Sequence, residues 1–311
     1  MKVSLISTVK DVGPEHVREF LDSLRAQTRH PDETIIVDGG STDGTLEALQ
    51  EATDVTVISE PGANISRGRN VAIAAAAHDV IAATDADCTL APDWLERLLA
   101  PIEEGADVAA GFYRPRGDSF LQARMAAVSL REPEEVGPGW MPSSRSIAFR
   151  RSAYEAAGGY PEWLQVGEDM YFDHRLVSSG ARMDNATDAV VFWRIRPTLG
   201  ETWTQYAGYA EGDALAGLYP ERHFLRFAVY AFGALALTSR SRLLKALAVA
   251  AGTAYASRPV RRAWARLADR SQERAATAAA VPAAMAFVDL AKMWGYARGL
   301  SRRVTEEIFY D

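Results

Sequence analysis

Three acidic clusters, in a fixed order along the chain, are the residues best suited to carry chemistry. They are the segment 38–43, the pair Asp85 and Asp87, and the pair Glu168 and Asp169. The first two clusters follow apolar runs that are typical of β-strands. In open α/β sheets, ligands bind outside the carboxyl ends of the strands. Carboxylates at that edge can hold a divalent cation, and the cation can hold a diphosphate. The pattern therefore indicates chemistry on a nucleotide-linked substrate.

Asp85 and Asp87 are the candidate ligands of a metal ion. Mg²⁺ or Mn²⁺ is typically bound through one or two carboxylates together with substrate phosphates, and it stabilises charge as a diphosphate leaves. Taken alone, an Asp-x-Asp pair is equally a solvated turn or the N-cap of a helix. Its position after an apolar strand, with the other clusters present, favours the metal site.

Further candidate contacts to a nucleotide lie at two other strand ends and at the start of a helix. Asp38 can accept hydrogen bonds from a base N–H or a ribose hydroxyl, and the two glycines after it permit close approach of a ligand. A plain turn is the alternative. Thr8 and Asp11 close the first strand. Arg67 and Asn70 open a helix, whose N-terminal N–H groups favour phosphate; an ordinary exposed first turn is the alternative for Arg67.

Asp169 is the candidate general base, because a carboxylate within hydrogen-bond reach can take the proton of an acceptor alcohol. Glu168 beside it is also explained by the preference of helix N-termini for acidic residues. Trp140 lies in a loop, residues 137–146, rich in Gly, Pro and Ser. We interpret that loop as a candidate lid on the acceptor side, with packing in the core as the alternative for the indole.

Composition restricts the class of protein. The chain has 311 residues, 48% of them hydrophobic and 24% charged, with a net charge of −7. This composition is that of a globular protein and lacks an overall basic footprint for nucleic acid. The single cysteine, Cys88, excludes an intrachain disulfide. The first residues form a strand pattern and lack the features of a secretion signal, so we expect a cytoplasmic protein.

Strand and helix patterns alternate up to about residue 115, which predicts an α/β fold with a mainly parallel sheet. The predicted strands cover residues 3–7, 34–38, 55–59, 80–84, 108–112, 147–150 and 190–193. We predict one domain over residues 1–218 and a helical region over 219–311. The helical region has three apolar stretches separated by basic residues, at residues 227–237, 246–256 and 275–288, and each is shorter than the roughly 20 residues that span a bilayer. It either buries these faces against itself or lies on an anionic membrane surface.

Four segments, in order over roughly residues 1–215, resemble the family 2 glycosyltransferases of the GT-A fold. The segments are residues 7–11, 37–45, 67–70 with 84–87, and 158–160 leading to 167–169. The resemblance implies that Thr8 and Asp38 hold the nucleoside and that Asp85 lies near the ribose or the metal. It further implies that Asp87 coordinates the metal and that Asp169 is the base of a single displacement that inverts the anomeric centre.

Two departures from the family pattern refine this expectation. Many relatives have a histidine after the late strand, where this chain has Arg194 and Arg196. Either an arginine neutralises the diphosphate in its place, or the third protein ligand of the metal is missing. The Gln-x-x-Arg-Trp motif of processive synthases is missing at residues 205–209, and we predicted no full-length transmembrane helix. These features favour the addition of one sugar.

We therefore predict an inverting, metal-dependent transfer from a nucleotide-diphosphate sugar. The end of the chain resembles membrane-associated bacterial members that build surface polysaccharides, which implies a sugar or lipid-linked acceptor and peripheral contact with the inner face of the cell membrane. One alternative is a sugar-phosphate nucleotidyltransferase, but residues 7–13 lack its Gly-rich basic loop. Another is a catalytically silent membrane scaffold, against which the intact acidic residues argue.

Overall fold

The computed structural model describes residues 1–117, 119–137, 139–266 and 271–305. Its contacts divide the chain into two compact units. The sheet unit comprises Met1–Arg116 and Pro133–Arg194, and the helical unit comprises Gly117–Glu132 and Ile195–Asp311. The predicted division of the chain at residue 218 stays a prediction.

The secondary structure is mixed. The strands are β1 (Val3–Val9), β2 (Glu33–Asp38), β3 (Thr56–Ser59), β4 (Val80–Asp85), β5 (Cys88–Leu90), β6 (Val108–Arg116), β7 (Ile147–Arg150) and β8 (Met183–Arg194). The helices are α1 (Pro14–Arg25), α2 (Thr45–Gln50), α3 (Ile65–Ala75), α4 (Trp94–Glu103), α5 (Phe120–Ser129), α6 (Arg151–Ala157), α7 (Glu168–Ser178), α8 (Leu199–Ala216), α9 (Pro220–Thr238), α10 (Arg242–Arg266) and α11 (Ser271–Thr305).

The strands form one eight-stranded sheet in the order β3-β2-β1-β4-β7-β6-β8-β5. Strands β1 to β4 are parallel to one another, as the alternation of strands and helices predicts. Strand β7 enters between β4 and β6 and is antiparallel to both. The predicted α/β class is confirmed. The short strand β5 was not predicted, because a three-residue strand has too few side chains to show a period.

The core of the sheet unit explains why β1, β2 and β4 read as continuous apolar runs. These central strands are buried on both faces, as parallel sheets covered by helices are. Trp94 at the start of α4 is fully buried, and its Nε1 donates to Ser146 Oγ over 2.9 Å. Ser146 Oγ in turn donates to the carbonyl of Ala189 over 3.0 Å. The indole is therefore both packed and hydrogen-bonded.

In the helical unit, α8 and α11 pack closely because α11 presents glycines to α8. A Cβ on Gly295 would lie 1.9 Å from the carbonyl oxygen of Ala207, and one on Gly299 would lie 2.7 Å from that of Glu211. The Glu211 carboxylate also accepts hydrogen bonds from Arg298 and Arg302 of α11. Only glycine permits this approach of the two backbones.

Among the described residues, one helical segment, Ala275–Val304 in α11, is long and apolar enough to cross a membrane. The sequence prediction placed no segment of this length here, because it ended the last apolar stretch at residue 288, before Asp289. A core helix meets the same criterion, and 44% of the segment's apolar window is buried. The segment is therefore weak support for a membrane span.

Candidate active site

The carboxyl ends of β1, β2 and β4 lie side by side, which brings the first two acidic clusters to one edge of the sheet. Thr8 of β1 is paired with Asp85 of β4, and Val9 is paired with Asp38 of β2. Parallel strands place their carboxyl ends at the same edge, so this proximity follows from the strand order. The structure thus brings together Thr8, Asp38 and Asp85, as the sequence pattern predicts.

Asp38 is fully buried, and only one of its two carboxylate oxygens accepts hydrogen bonds from the described residues. Its Oδ2 accepts hydrogen bonds from the backbone N–H groups of Gly40 (2.9 Å) and Ser41 (3.1 Å). Its Oδ1 is buried and accepts no hydrogen bond from the described residues. A buried acceptor without a partner costs on the order of 1–3 kcal/mol. Asp38 Oδ1 is therefore suited to accept an N–H or O–H from a ligand.

Asp11 ties together the two loops that follow β1 and β2. Its Oδ1 accepts from the backbone N–H of Thr42 over 2.7 Å, and its own N–H donates to Ser41 Oγ over 2.9 Å. The residue adopts a left-handed backbone conformation with φ of 49°, which aspartate tolerates better than most residues. Asp11 therefore fixes the loops beside Asp38, and its predicted contact with the nucleotide stays a prediction.

Arg69 joins the second and third acidic clusters. This side chain of α3 is 2% exposed. Its Nη2 donates to Asp85 Oδ1 over 2.7 Å and its Nη1 donates to Glu168 Oε1 over 2.8 Å. Its guanidinium carbon lies 5.1 Å from the centroid of the Tyr160 ring. Segments about 100 residues apart in the chain thus meet around one buried cation.

Arg69 is not among the site residues predicted from the sequence, whereas Arg67 of the same helix is. Arg67 is half exposed and pairs with Glu60 (3.1 Å) and, at longer range, Glu162 (3.7 Å). The only available signal was the Arg-x-Arg spacing in α3, because residues two apart on a helix point to different faces. The sequence does not say which of the two faces is buried.

The two carboxyls at the N-terminus of α7 differ in environment. Glu168 is buried, and burial and the charge of Asp169 raise its pKa to about 7 even though Arg69 opposes this. Asp169 is half-buried, and its Oδ1 accepts a hydrogen bond from the N–H of Met170 over 2.8 Å. None of the described cationic side chains forms an ion pair with Asp169 within 4 Å. Of the two, Asp169 is the accessible carboxylate.

Asp173 lies one helical turn after Asp169 and is fully buried. Neither of its carboxyl oxygens has a hydrogen-bond partner in the part of the chain that the structure describes. Burial, and then the charge of Asp169, raise the pKa of Asp173 well above its usual range, while Arg69 opposes this. A protonated carboxyl beside Asp169 avoids a second buried negative charge.

Asn70 holds the turn that precedes α7. Its Nδ2 donates to the carbonyl of Tyr160 over 3.0 Å, and its Oδ1 accepts from the N–H of Tyr160 over 3.1 Å. The Tyr160 hydroxyl is within hydrogen-bond distance of Ser144 Oγ, at 2.9 Å. Asn70 therefore positions the segment that carries Tyr160 against α3, and its predicted role in nucleotide binding stays a prediction.

Asp87 and Arg194 line one small cavity of the sheet unit, together with His16, Glu19 and Arg116. Glu19 Oε2 accepts from Arg194 Nη2 over 3.0 Å and from Arg116 Nη1 over 2.9 Å. The structure thus brings Arg194 to the cavity that Asp87 lines. Arg196 belongs to the helical unit. The roles predicted for Arg194 and Arg196 toward a diphosphate stay predictions.

Trp140 is half-buried, and its indole is engaged by β6. Its Nε1 donates to the carbonyl of Gly111 over 3.1 Å, and the centroid of its ring lies 5.9 Å from that of Phe112.

Arg145, which was not predicted as a site residue from the sequence, contacts Asp85 from a second side. Its Nε is 3.5 Å from Asp85 Oδ2, and its guanidinium carbon is 4.5 Å from the Trp193 ring centroid. Asp85 therefore lies between two arginines.

The residues present fit a divalent cation that is shared with a diphosphate. No group of three or more His, Cys, Asp or Glu side chains within the described ranges is arranged to hold a metal by itself. Asp85 is occupied by Arg69, whereas Asp87 is a half-buried carboxylate at the same strand end. Mg²⁺ is usually bound by one or two carboxylates with substrate phosphates supplying the remainder. Asp87, with Asp85 beside it, would hold such an ion.

Comparison with known proteins identifies the class. Residues 4–157, which are 154 of the 311 residues, match the family model described as glycosyl transferase family 2, and this part of the chain is a domain of that family. The chain is 30% identical over 218 residues to the succinoglycan biosynthesis protein ExoA of Rhizobium meliloti, a match that covers 64% of this chain and 65% of ExoA.

A second relative is the O-antigen chain rhamnosyltransferase RfbN of Salmonella typhimurium. It is 26% identical over 207 residues, which are 61% of this chain and 66% of RfbN. The matches thus span less than two thirds of the length of either relative.

Solved structures show the fold. The mannosyltransferase PcManGT of Pyrobaculum calidifontis, in complex with GDP-Man and Mn²⁺, superposes with a TM-score of 0.54 at 20% identity. The superposition covers 98% of this chain and 87% of that one. GalNAc-T7 with UDP, GalNAc and Mn²⁺ superposes with a TM-score of 0.51 at 17% identity, over 68% of this chain and 47% of that one. The predicted GT-A type of fold is confirmed.

Proposed function

We propose that this protein transfers one sugar from a nucleotide-diphosphate sugar to an acceptor hydroxyl, with inversion at the anomeric carbon. One observation carries the proposal. Asp38, Asp85 and Glu168, which come from three separate acidic clusters, lie at one edge of the sheet, and Arg69 bridges the last two. Asp169 directly follows Glu168 on α7. Family membership supports the same reaction class.

The nucleoside end of the donor is assigned to the ends of β1 and β2. Asp38 Oδ1 is a buried hydrogen-bond acceptor without a partner among the described residues. In the proposed complex it accepts a hydrogen bond from a base N–H or a ribose hydroxyl. Thr8 is the next-to-last residue of β1, paired with Val37 of β2 and Asp85 of β4. The diphosphate is assigned to the neighbourhood of Asp87, with Arg194 as the nearby cation. A Mg²⁺ or Mn²⁺ ion at Asp87 would supply charge neutralisation to the leaving diphosphate.

Asp169 is assigned as the general base. In the proposed step the acceptor O–H gives its proton to a carboxylate oxygen of Asp169 while the acceptor oxygen bonds to the anomeric carbon. The bond from that carbon to the diphosphate oxygen breaks, and the diphosphate leaves with the electron pair. A carboxylate in reach of the proton is required. Asp169 meets this need better than Glu168, because Glu168 is buried and held by Arg69.

The acceptor is proposed to belong to cell-surface polysaccharide or glycolipid biosynthesis. The support is the printed names of the relatives, which concern succinoglycan and the O-antigen chain. On this proposal the enzyme works in the cytoplasm at the inner face of the membrane, on a sugar or a lipid-linked acceptor. Trp140 is the proposed sugar-stacking residue on the acceptor side.

The experiment compares Asp169→Asn and Asp87→Ala with the native protein. UDP, GDP, dTDP and CDP are first screened for thermal stabilisation with and without Mn²⁺, since a bound ligand raises apparent stability by mass action. Nucleotide-diphosphate sugars that carry the selected nucleotide are then tested as donors, and their turnover is measured. We expect Asp169→Asn to keep the nucleotide-dependent shift in Tm and to lower turnover by a factor on the order of 10² to 10⁴.

Asp87→Ala is expected to lose the part of the stabilisation that depends on Mn²⁺. The matched control is Asp188→Asn, because Asp188 is an aspartate of the sheet unit whose side chain is 82% exposed. That variant should behave as the native protein does. Native turnover in Asp169→Asn would remove Asp169 from the role of base. The complete lack of stabilisation by any nucleotide would contradict the proposed donor class.

A further inference from the structure

The helical unit contains a cavity of about 570 Å³ to which α5, α9, α10 and α11 contribute. This volume lies within the range of about 300–1,000 Å³ that is typical of small-molecule sites. Four basic side chains line it, namely Arg226 of α9, Arg258 and Arg262 of α10, and Lys292 of α11. Asp289 of α11 is the single carboxylate among its lining residues. The cavity therefore carries an excess of positive charge.

The single carboxylate, Asp289, does not neutralise all of these cations, because both of its oxygens already accept hydrogen bonds. Asp289 Oδ1 accepts from Arg226 Nε over 2.7 Å. Its Oδ2 accepts from the hydroxyls of Tyr255 (2.8 Å) and Tyr230 (3.1 Å). Asp289 and Arg226 thus neutralise each other at one wall of the cavity. The charge of Asp289 is therefore not available to the other cations that line the cavity.

Arg258 and Lys292 are the cations that no carboxylate in the described part of the chain pairs with. Arg258 is exposed at the cavity. Lys292 is half-buried, and its Nζ lies 5.1 Å from the centroid of the Tyr206 ring. The nearby Asp213 is bonded to His223 Nε2 over 2.9 Å. Burial, and then the charge of Arg226, lower the pKa of Lys292 to about 8, while Asp289 and Asp213 oppose this.

The two helices that supply three of these cations also expose apolar side chains. On α9, Phe224 and Leu237 are 75% and 79% exposed, and on α10 Leu243 and Val249 are each 69% exposed. Exposed apolar surface of this kind marks a site of interaction. Exposed apolar side chains on helices that line a basic cavity favour a ligand that has both a negative headgroup and a hydrocarbon part.

We propose that this cavity binds the phosphate headgroup of an anionic membrane lipid. Arg258 and Lys292 contact the phosphate oxygens, and the exposed side chains of α9 and α10 rest in the lipid surface. The inference is independent of sugar transfer, since every residue that carries it lies in the helical unit. It names the headgroup site through which the protein recognises a membrane.

The test is co-sedimentation of the full chain with phosphatidylcholine vesicles, with and without phosphatidylglycerol. The double variant Arg258→Gln with Lys292→Gln is compared with Lys2→Gln with Arg18→Gln, which removes the same charge from exposed positions of the sheet unit. A basic residue near an anionic surface contributes about 1 kcal/mol, so we expect the cavity variant to bind the anionic vesicles about 10- to 30-fold more weakly. The control variant should lose less than about threefold.

Equal losses in the two variants would overturn the cavity as the site, and equal binding to both vesicle types would overturn the anionic lipid as the ligand. Free inorganic pyrophosphate is a further arm. If neither type of vesicle binds, and pyrophosphate raises the Tm of the native protein but not that of the cavity variant, the ligand is a soluble phosphate and the proposal is wrong. The single variant Arg258→Gln changes an exposed side chain and keeps the test valid if the double variant unfolds. The nucleotide-dependent shift in Tm should be unchanged in all variants, which separates this proposal from the proposed function.

Discussion

Replacement of Arg69 by methionine should be among the most destabilising single changes in the sheet unit. The substitution keeps the length and the apolar stem of the side chain but removes its charge. Asp85 and Glu168 would then be left without the cation that contacts them at 2.7 and 2.8 Å. Removal of one partner from a buried ion pair typically costs about 3–5 kcal/mol, because the other charge stays buried and uncompensated.

That magnitude is a large part of a total stability of about 5–15 kcal/mol. For a unit of this size it corresponds to a fall in Tm of roughly 6–20 °C. Thermal and urea unfolding of the native protein and of Arg69→Met measure it. Arg67→Met is the matched control on the same helix, because Arg67 forms only exposed ion pairs and its loss should cost about 0–1 kcal/mol.

A double-mutant cycle assigns the loss to the bridge itself. In the Glu168→Gln background, one of the two carboxylates that contact Arg69 is already absent. Arg69→Met should therefore lower the free energy of unfolding by about 1–3 kcal/mol less in that background than in the native protein. The defect should also shrink at low pH, because the stranded carboxyls can take up protons. A cost for Arg69→Met no larger than that for Arg67→Met would refute the reasoning.

Two further predictions concern stability alone. The pKa of Asp173 is higher in the folded protein than its unfolded value of 3.8. The native protein should therefore lose stability as pH rises above that value, by at most about 1.4 kcal/mol per pH unit. Asp173→Asn should lack this slope, so its Tm relative to that of the native protein should rise as the pH increases above that value; parallel curves would contradict it. Gly111→Ala should cost about 1–3 kcal/mol in urea unfolding, because the new Cβ would lie 1.9 Å from Ser146 Oγ and 2.7 Å from the Ser146 carbonyl oxygen. Gly137→Ala, which meets nothing within 4 Å, is its control.

Much of the sheet unit could be predicted from local patterns. The apolar runs before Asp38 and Asp85 are buried strands, and a parallel arrangement places both carboxylates at one edge. The antiparallel insertion of β7 was beyond such reasoning, because four residues of strand pattern fit either direction. The helix α5 also escaped prediction, although Ser119 and Gln122 form a capping box at its start.

The assignment of polar residues to roles depended on contacts that no local pattern encodes. Asn70 was predicted as a ligand contact and is found holding the backbone of Tyr160, which lies 90 residues further along the chain. Asp289 lies among apolar residues of α11 and appeared to end an apolar stretch, yet it accepts three hydrogen bonds inside the helical unit. In both cases the partner comes from a distant segment.

The sequence by itself determined the α/β class, the family resemblance and the positions of the acidic clusters, because strand periods and strand ends are local properties of the chain. Only the tertiary structure decided that Arg69 and not Arg67 is the buried cation and that Glu168 is held by Arg69 while Asp169 is accessible. It also decided that no carboxylate among the described residues pairs with Arg258 or Lys292. The physical reason is that the energy of a charge depends on its burial and its neighbours. Both are set when remote segments pack together.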